Sequence, residues 1–241
     1  MTLEPILKLD GITKQFVGCR ALQGVNMTIE QGQIVGLLGP NASGKTTLMK
    51  IIAGLLQPTT GTRQYYYSVE PGLEARKKVS FCPDTMVFPN WMKVQDVFTF
   101  YEDMYPDYSQ ERANELINIL ELYEVRNKHV KSLSKGMHER LSLASTFSRK
   151  TSLYLLDEPL DGIDPVGKSK VINAIIAMQP EGASTLISTH LVKDIERVLT
   201  SVFFLSKGKI IFSGDCDKIR EERNQTIEQA YLEVFTNEGS V

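Results

Sequence analysis

The stretch Gly39-Pro40-Asn41-Ala42-Ser43-Gly44-Lys45-Thr46 limits what this chain can fold into more than any other. It fits the phosphate-loop pattern of a glycine, four intervening residues and then Gly-Lys-Ser/Thr. The flanks agree with it. Gln33-Ile34-Val35-Gly36-Leu37-Leu38 is a short apolar run of buried-strand type, and Leu48, Ile51, Ile52 and Leu55 follow at helical spacing, with Gly54 near the expected helix end. A strand, a glycine loop and a helix are what phosphate binding needs. Gly39 and Gly44 let the backbone turn tightly with no Cβ in a ligand's way. Successive N–H groups then face one concavity, and the helix start adds partial positive charge. In this pattern Lys45 reaches the β- and γ-phosphates and the Thr46 hydroxyl holds Mg²⁺. A plain glycine turn ahead of a helix would give no reason for the Lys-Thr pair.

The 241 residues suffice for one large domain, with or without an inserted lobe. A net charge of −2 gives no hint of a nucleic-acid partner. No apolar run approaches the roughly 20 residues that span a bilayer, and Met1-Thr2-Leu3-Glu4-Pro5 lacks the layout of a signal peptide. The three cysteines, Cys19, Cys82 and Cys216, are widely spaced, which argues against a disulfide framework or zinc site and fits a reducing compartment.

Along the chain, Ile6 to Phe16 and Ala21 to Ile29 read as strands ahead of the loop. Pro58 to Thr62 is a turn, and Tyr65-Tyr66-Tyr67 suits an exposed or edge strand rather than a base-stacking surface. Lys78 to Cys82 is a further short strand. From Trp91 to about Tyr123 the pattern turns helical, with Val94, Val97 and Phe98 on one face and Ala113, Leu116, Ile117 and Leu120 on another. A new helix should start at Ser132-Leu133-Ser134-Lys135-Gly136. Beyond it come a strand from Ser152 to Leu156, a helix from Val166 to Met178 and a strand from Ala183 to Ser188. A helix around Leu191 to Val198, a hairpin about Lys207-Gly208 and a last helix from Ile227 to Phe235 follow. Ser152 to Leu156 delivers Asp157 and Glu158 at its C-terminal end, the edge where ligands sit in open α/β sheets. There Asp157 can face a magnesium held by Thr46, and Glu158 the water that attacks the γ-phosphate.

At this point the chain resembles a family, the ATP-binding subunits of ABC transporters. Five motifs agree in type and order from Phe16 to about Gly214: the phosphate loop Gly39 to Thr47, the signature-like Leu133-Ser134-Lys135-Gly136-Met137, the strand motif Leu155-Leu156-Asp157-Glu158-Pro159, a D-loop at Gly162-Ile163-Asp164-Pro165 and a histidine switch at Ser188-Thr189-His190. The resemblance implies a P-loop NTPase of ABC type: an α/β fold whose mixed-sheet core carries an N-terminal antiparallel β subdomain and an inserted helical subdomain. The whole chain would be one ATP-binding domain, with 1–83 and 151–241 forming the catalytic lobe and 84–150 the helical insert.

Ser134 alone reads as a helix N-cap. With Gly136 it also offers a hydroxyl and an open N–H at a helix start, which is a second anion site. The resemblance implies that this half-site serves a second ATP-binding subunit, identical or related, in a head-to-tail dimer that sandwiches ATP. It further implies ATP and Mg²⁺ as cofactors, His190 hydrogen-bonding the γ-phosphate and Phe16 stacking on adenine, with core packing as the alternative for Phe16. His129 and His138 are expected to be solvated. A separate membrane permease docks on the insert, with Met86, Phe88 and Trp91 as candidate contacts or, on the simpler reading, packing within it. The chain would sit peripherally on the cytoplasmic face of the membrane, with no nucleic-acid partner. The rival reading is a soluble ABC-type ATPase switch uncoupled from transport.

The chain departs from the family at three places. Asp84 stands where the family has a glutamine, keeping an oxygen for Mg²⁺ or water but losing the amide donor. Lys135 replaces a glycine and Met137 a glutamine in the signature. Lys135 adds attraction to the triphosphate or points to solvent.

Overall fold

The structure, a computed structural model, describes residues 5–65, 77–85 and 88–238. β1 (Pro5–Phe16) and β2 (Cys19–Glu30) form a long antiparallel hairpin. β4 (Thr60–Tyr65) pairs with the other side of β1, so the small sheet runs β2-β1-β4 and Tyr65 lies on an edge strand, as its composition suggests. Tyr66 and Tyr67 lie outside the described residues.

The larger sheet runs β5-β6-β7-β3-β8-β9. β3 (Ile34–Leu38), β5 (Val79–Cys82), β6 (Leu153–Asp157), β7 (Ser184–Thr189) and β8 (Ser201–Ser206) are parallel, and β9 (Lys209–Asp215) closes the edge antiparallel to β8. Both faces are covered, which is why β6 reads as an unbroken apolar run. Its side chains divide by alternation. Leu153 and Leu155 join a core with Leu48, Ile51 and Ile52 of α1 (Lys45–Ile52) and the buried face of the small sheet, Leu9, Val25 and Met27 among it. Tyr154 and Leu156 face a second core shared with α4 (Lys135–Phe147) and α5 (Pro165–Met178). The helix carrying the phosphate loop is therefore wedged between the two sheets.

Residues 84–150 hold α2 (Val94–Met104), α3 (Gln110–Ile119), two single 3₁₀ turns and α4. The helical pattern after Trp91 is thus broken. Tyr105, extended ahead of Pro106, ends α2 because proline disfavours helical geometry in the residue before it. Phe88 is buried, while Trp91 is 72% exposed ahead of α2; Met86 lies outside the described residues. Leu55 is 68% exposed rather than on the buried face of α1. The helix stops at Ile52, and Gly54, at φ 74, closes it in the left-handed conformation. α6 is a single turn, Val192–Ile195, followed by α7 (Cys216–Arg223) and α8 (Ile227–Glu238). Where the insert rejoins the lobe, buried Arg149 pairs Nε and Nη2 with the two carboxylate oxygens of Asp107 at 2.9 Å and donates to the Val79 carbonyl.

Candidate active site

The phosphate loop crosses from the C-terminal end of β3 to α1. Its glycines are required by close packing. A Cβ on Gly39 would stand 2.2 Å from the Leu205 carbonyl oxygen, and one on Gly44, at φ 110, would stand 2.7 Å from that of Ala21. Ser43 N–H donates to the Pro40 carbonyl at 3.2 Å, and Ala42 also has positive φ, at 63°. The loop borders a cleft of about 470 Å³ lined in part by Asn41, Ala42, Gly44, Lys45, Thr46 and Thr47. Asp84 and Glu158 reach the same cleft.

Lys45 is buried. Its Nζ donates to the carbonyls of Gly39 at 2.8 Å and Pro40 at 3.1 Å, and it lies 3.1 Å from Glu158 Oε1. Glu158 follows β6 with φ 50, a left-handed conformation that is uncommon outside glycine. The Ser188 carbonyl and Oγ both accept from its N–H at 3.1 Å. Its Oε2 accepts from His190 N at 3.3 Å and lies 3.0 Å from His190 Nδ1. One carboxylate thus bridges the loop lysine and the histidine after β7.

Asp157 ends β6 opposite Ser188 of β7 and is only 1% exposed. Ser188 Oγ donates to Oδ1 at 2.5 Å, while Oδ2 is buried with no hydrogen-bond partner among the described residues. Burial raises the Asp157 pKa, the charges of Asp84 and Glu158 add to the rise, and the Ser188 and Thr46 side chains oppose it. A buried carboxylate oxygen with an open lone pair, beside a threonine hydroxyl, fits a hard divalent cation. Among the described residues no cluster of three or more His, Cys, Asp or Glu could hold a metal.

Ser134 caps α4, its Oγ accepting from Met137 N at 3.3 Å, and a Cβ on Gly136 would meet nothing within 4 Å. Neither lines the cleft. The phosphate loop and the start of α4 therefore do not share that cleft. Phe16 is 43% exposed, with Lys14 Nζ 5.2 Å from its ring centroid, and it too lies outside the cleft lining. Lys135 does not simply project into solvent: its Nζ lies 2.8 Å from Asp161 Oδ2. His129 is exposed, as expected. His138 is half-buried: its Nδ1 is buried with no hydrogen-bond partner among the described residues, and burial lowers its pKa while the Leu133 backbone opposes the shift.

The hydrogen bond from Ser188 to Asp157 was not anticipated from sequence, although Ser188 stands in the histidine-switch motif; parallel register brings the two together. Cys19, Arg20, Gln23 and Lys207 also line the cleft. They come from the first hairpin and the β8–β9 turn, far from the loop in sequence, and no local spacing marks them.

The family model described as "ABC transporter" matches residues 22–161, more than half of the chain. A protein of Bacillus subtilis (strain 168), "Uncharacterized ABC transporter ATP-binding protein YdbJ", is 31% identical over 99% of this chain and 77% of its own length. "ABC transporter ATP-binding protein YtrB" of the same organism is 33% identical over 90% of this chain and 74% of its own. Among solved structures, an "ATP binding subunit of ABC transporter" superposes with a TM-score of 0.84 at 23% identity, covering 95% of this chain and 99% of that one. A dimeric cassette, MJ0796 in a post-hydrolysis state bound to ADP and Pi, gives 0.77 at 23% identity, with 87% and 98% covered. No helix among the described residues is long and apolar enough to cross a membrane.

Proposed function

The chain belongs to the ABC transporter family as an ATP-binding subunit and an ATPase, and from that premise we propose that it drives a separate membrane-spanning permease. It does so by closing head to tail with a second ATP-binding subunit around two MgATP molecules. The loop N–H groups and Lys45 neutralise phosphate charge. Thr46 and Asp157 would hold Mg²⁺, with Asp84 at the cleft as a further oxygen donor, and the ion would supply positive charge against the phosphates. Glu158 takes the proton of the attacking water, and His190 orients Glu158 and reaches the γ-phosphate. Ser134 and Gly136 of the facing subunit complete the phosphate cage. Phosphoryl transfer depends mainly on positioning and charge stabilisation, so closure itself assembles the catalyst.

The observation that carries this reading is the division of labour within one chain. Glu158, Lys45 and His190 converge at the loop, while the capped start of α4 lies outside the same cleft. A second subunit supplies what the first lacks. The soluble-switch alternative usually relies on a long coil in the insert, whereas α2 and α3 are only 11 and 10 residues long.

The test is to express the chain with Glu158→Gln, add MgATP, measure mass in solution, and recover the chain from membranes of its native cells. A nucleotide-dependent dimer that brings a membrane protein with it supports the proposal. A chain that stays monomeric under saturating MgATP even with its membrane companion overturns it, and recovery with ribosomes or DNA favours the switch.

A further inference from the structure

Two cations in the nucleotide cleft have no role in the scheme above. Arg20 is the second residue of β2, opposite Gln15 in β1. Lys207 sits in the β8–β9 turn with φ 44. Both line the cleft beside the phosphate loop. Their placement is fixed by backbone contacts among three segments distant in sequence. Gly208 N–H donates to the Ser43 carbonyl of the loop at 2.9 Å. Gln23 N–H donates to the Gly208 carbonyl at 2.8 Å, and Gln23 Nε2 donates to that of Lys207 at 2.7 Å. The Ala21 carbonyl is packed so closely that a Cβ on Gly208 would stand 2.6 Å from it, as one on Gly44 would stand 2.7 Å away. The start of β2, the phosphate loop and the hairpin turn are thus held together as one rim.

The charged ends of Arg20 and Lys207 form no ion pair among the described residues, and the Arg20 guanidinium makes no hydrogen bond there. The carboxylates of the cleft are Asp84 and Glu158, and Glu158 is engaged by Lys45 and His190. Neither Arg20 nor Lys207 pairs with either acid among the described residues, and both belong to the rim packed on Ser43 and Gly44 rather than to the ends of β6 and β7 that carry Glu158 and His190. Exposed cations that line an anion-binding cleft and have no protein partner are left to the ligand. A guanidinium suits a phosphate oxygen or the face of a base, since it is planar, weakly hydrated and presents several donors.

Resting on the reading of the cleft as an ATP site, we propose that Arg20, supported by Lys207, holds the nucleoside end of the nucleotide: the α-phosphate, ribose and base that ATP and ADP share. Lys45 grips the terminal phosphates, and the rim cations fix the rest. They add affinity for the bound nucleotide before and after hydrolysis alike.

The experiment measures Kd for MgATP and MgADP by calorimetry, at low and moderate salt, with the wild-type chain, Arg20→Ala, Arg20→Lys and Lys207→Ala. Arg20→Ala is expected to raise both constants by the same factor, about tenfold, the size of one charge-assisted hydrogen bond. Its salt dependence should flatten, Arg20→Lys should recover part of the loss, and Lys207→Ala should move both constants in the same direction. Unfolding midpoints without nucleotide should stay unchanged, because both side chains are exposed. Equal constants for wild type and Arg20→Ala overturn the inference and leave the ATPase reading intact. So does a loss confined to ATP, which would put the cation at the γ-phosphate. A wild-type chain that binds neither nucleotide sinks the ATPase reading, and this inference with it.

Discussion

Nζ of Lys45 lies 3.1 Å from Oε1 of Glu158. The ammonium proposed to grip the terminal phosphates and the carboxylate proposed to activate water are therefore partners of each other. A triphosphate entering the loop competes with Glu158 for Lys45, as well as with the Gly39 and Pro40 carbonyls. His190 holds the other carboxylate oxygen, so Glu158 keeps one fixed contact when the first is exchanged.

Glu158→Gln tests that exchange. The amide removes the negative charge opposing the phosphates, so MgATP affinity is expected to stay at or above the wild-type value. The rate of the chemical step should fall by about 10²–10⁴-fold, the usual contribution of a positioned base. Single-turnover hydrolysis alongside equilibrium binding separates the two. Near-normal turnover removes Glu158 from the role of base.

The phosphate loop and the acids after β6 are legible in sequence because each follows from a local rule. Tyr154 and Leu156 alternate with Leu153 and Leu155 toward two different cores, yet all read as apolar, and a strand buried on both faces has no other appearance. Periodicity reports which face is apolar but not where a helix stops. Leu55 keeps the spacing of Ile51 and Ile52 and still falls beyond the turn at Gly54. Phe88 and Trp91 look alike as aromatics near the insert, and only packing makes one buried and the other exposed. Arg20 was illegible for a different reason. Its place in the lining of the same cleft as Lys45 depends on a strand, a loop and a turn meeting in space.

Glu139 is expected to make stability depend on pH. It lies in the second turn of α4, and burial pushes its carboxyl from 4.5 up to about 7; Asp161 and Asp84 add to the rise and Lys135 opposes it. Because the folded-state value is the higher one, the native chain holds more protons than the unfolded chain between these two values. Stability therefore falls as pH rises through that window, and the loss is complete above about 7. Glu139→Gln cannot ionise and should flatten the profile, gaining most at pH 8 and least at pH 4. Thermal unfolding across that range checks it, and parallel profiles for the two proteins would assign the dependence elsewhere.

Lys135 and Asp161 join the signature helix to the loop after β6 at 2.8 Å, with side chains 58% and 53% exposed. The lysine holds the Asp161 carboxyl below its usual range. Exposed pairs add little to stability, so unfolding midpoints should barely move in Lys135→Ala or Asp161→Ala. The two should differ in closure. In a Glu158→Gln background, Lys135→Ala is expected to lower the MgATP-dependent dimer fraction by removing a cation next to the proposed phosphate contacts. Asp161→Ala is expected to raise it by freeing that cation. Equal dimer fractions in all three proteins would reduce the pair to surface charge.

Ser134 has two possible jobs, and one substitution separates them. Its Oγ accepts the Met137 N–H at the start of α4, and losing such a cap costs about 1 kcal/mol. Ser134→Ala should therefore lower the unfolding midpoint and also weaken ATP-driven dimerisation. Ser134→Asp keeps the cap, because aspartate is as good an N-cap as serine and its charge suits a helix start. It should leave the midpoint at or above that of wild type. The same carboxylate would face the partner's triphosphate and repel it, so dimerisation should be lost while ATP binding to the single subunit is retained. Unfolding curves and mass in solution, taken together on Ser134→Asp with and without Glu158→Gln, read the two effects separately. A stable Ser134→Asp chain that still dimerises on MgATP would leave Ser134 as a cap alone.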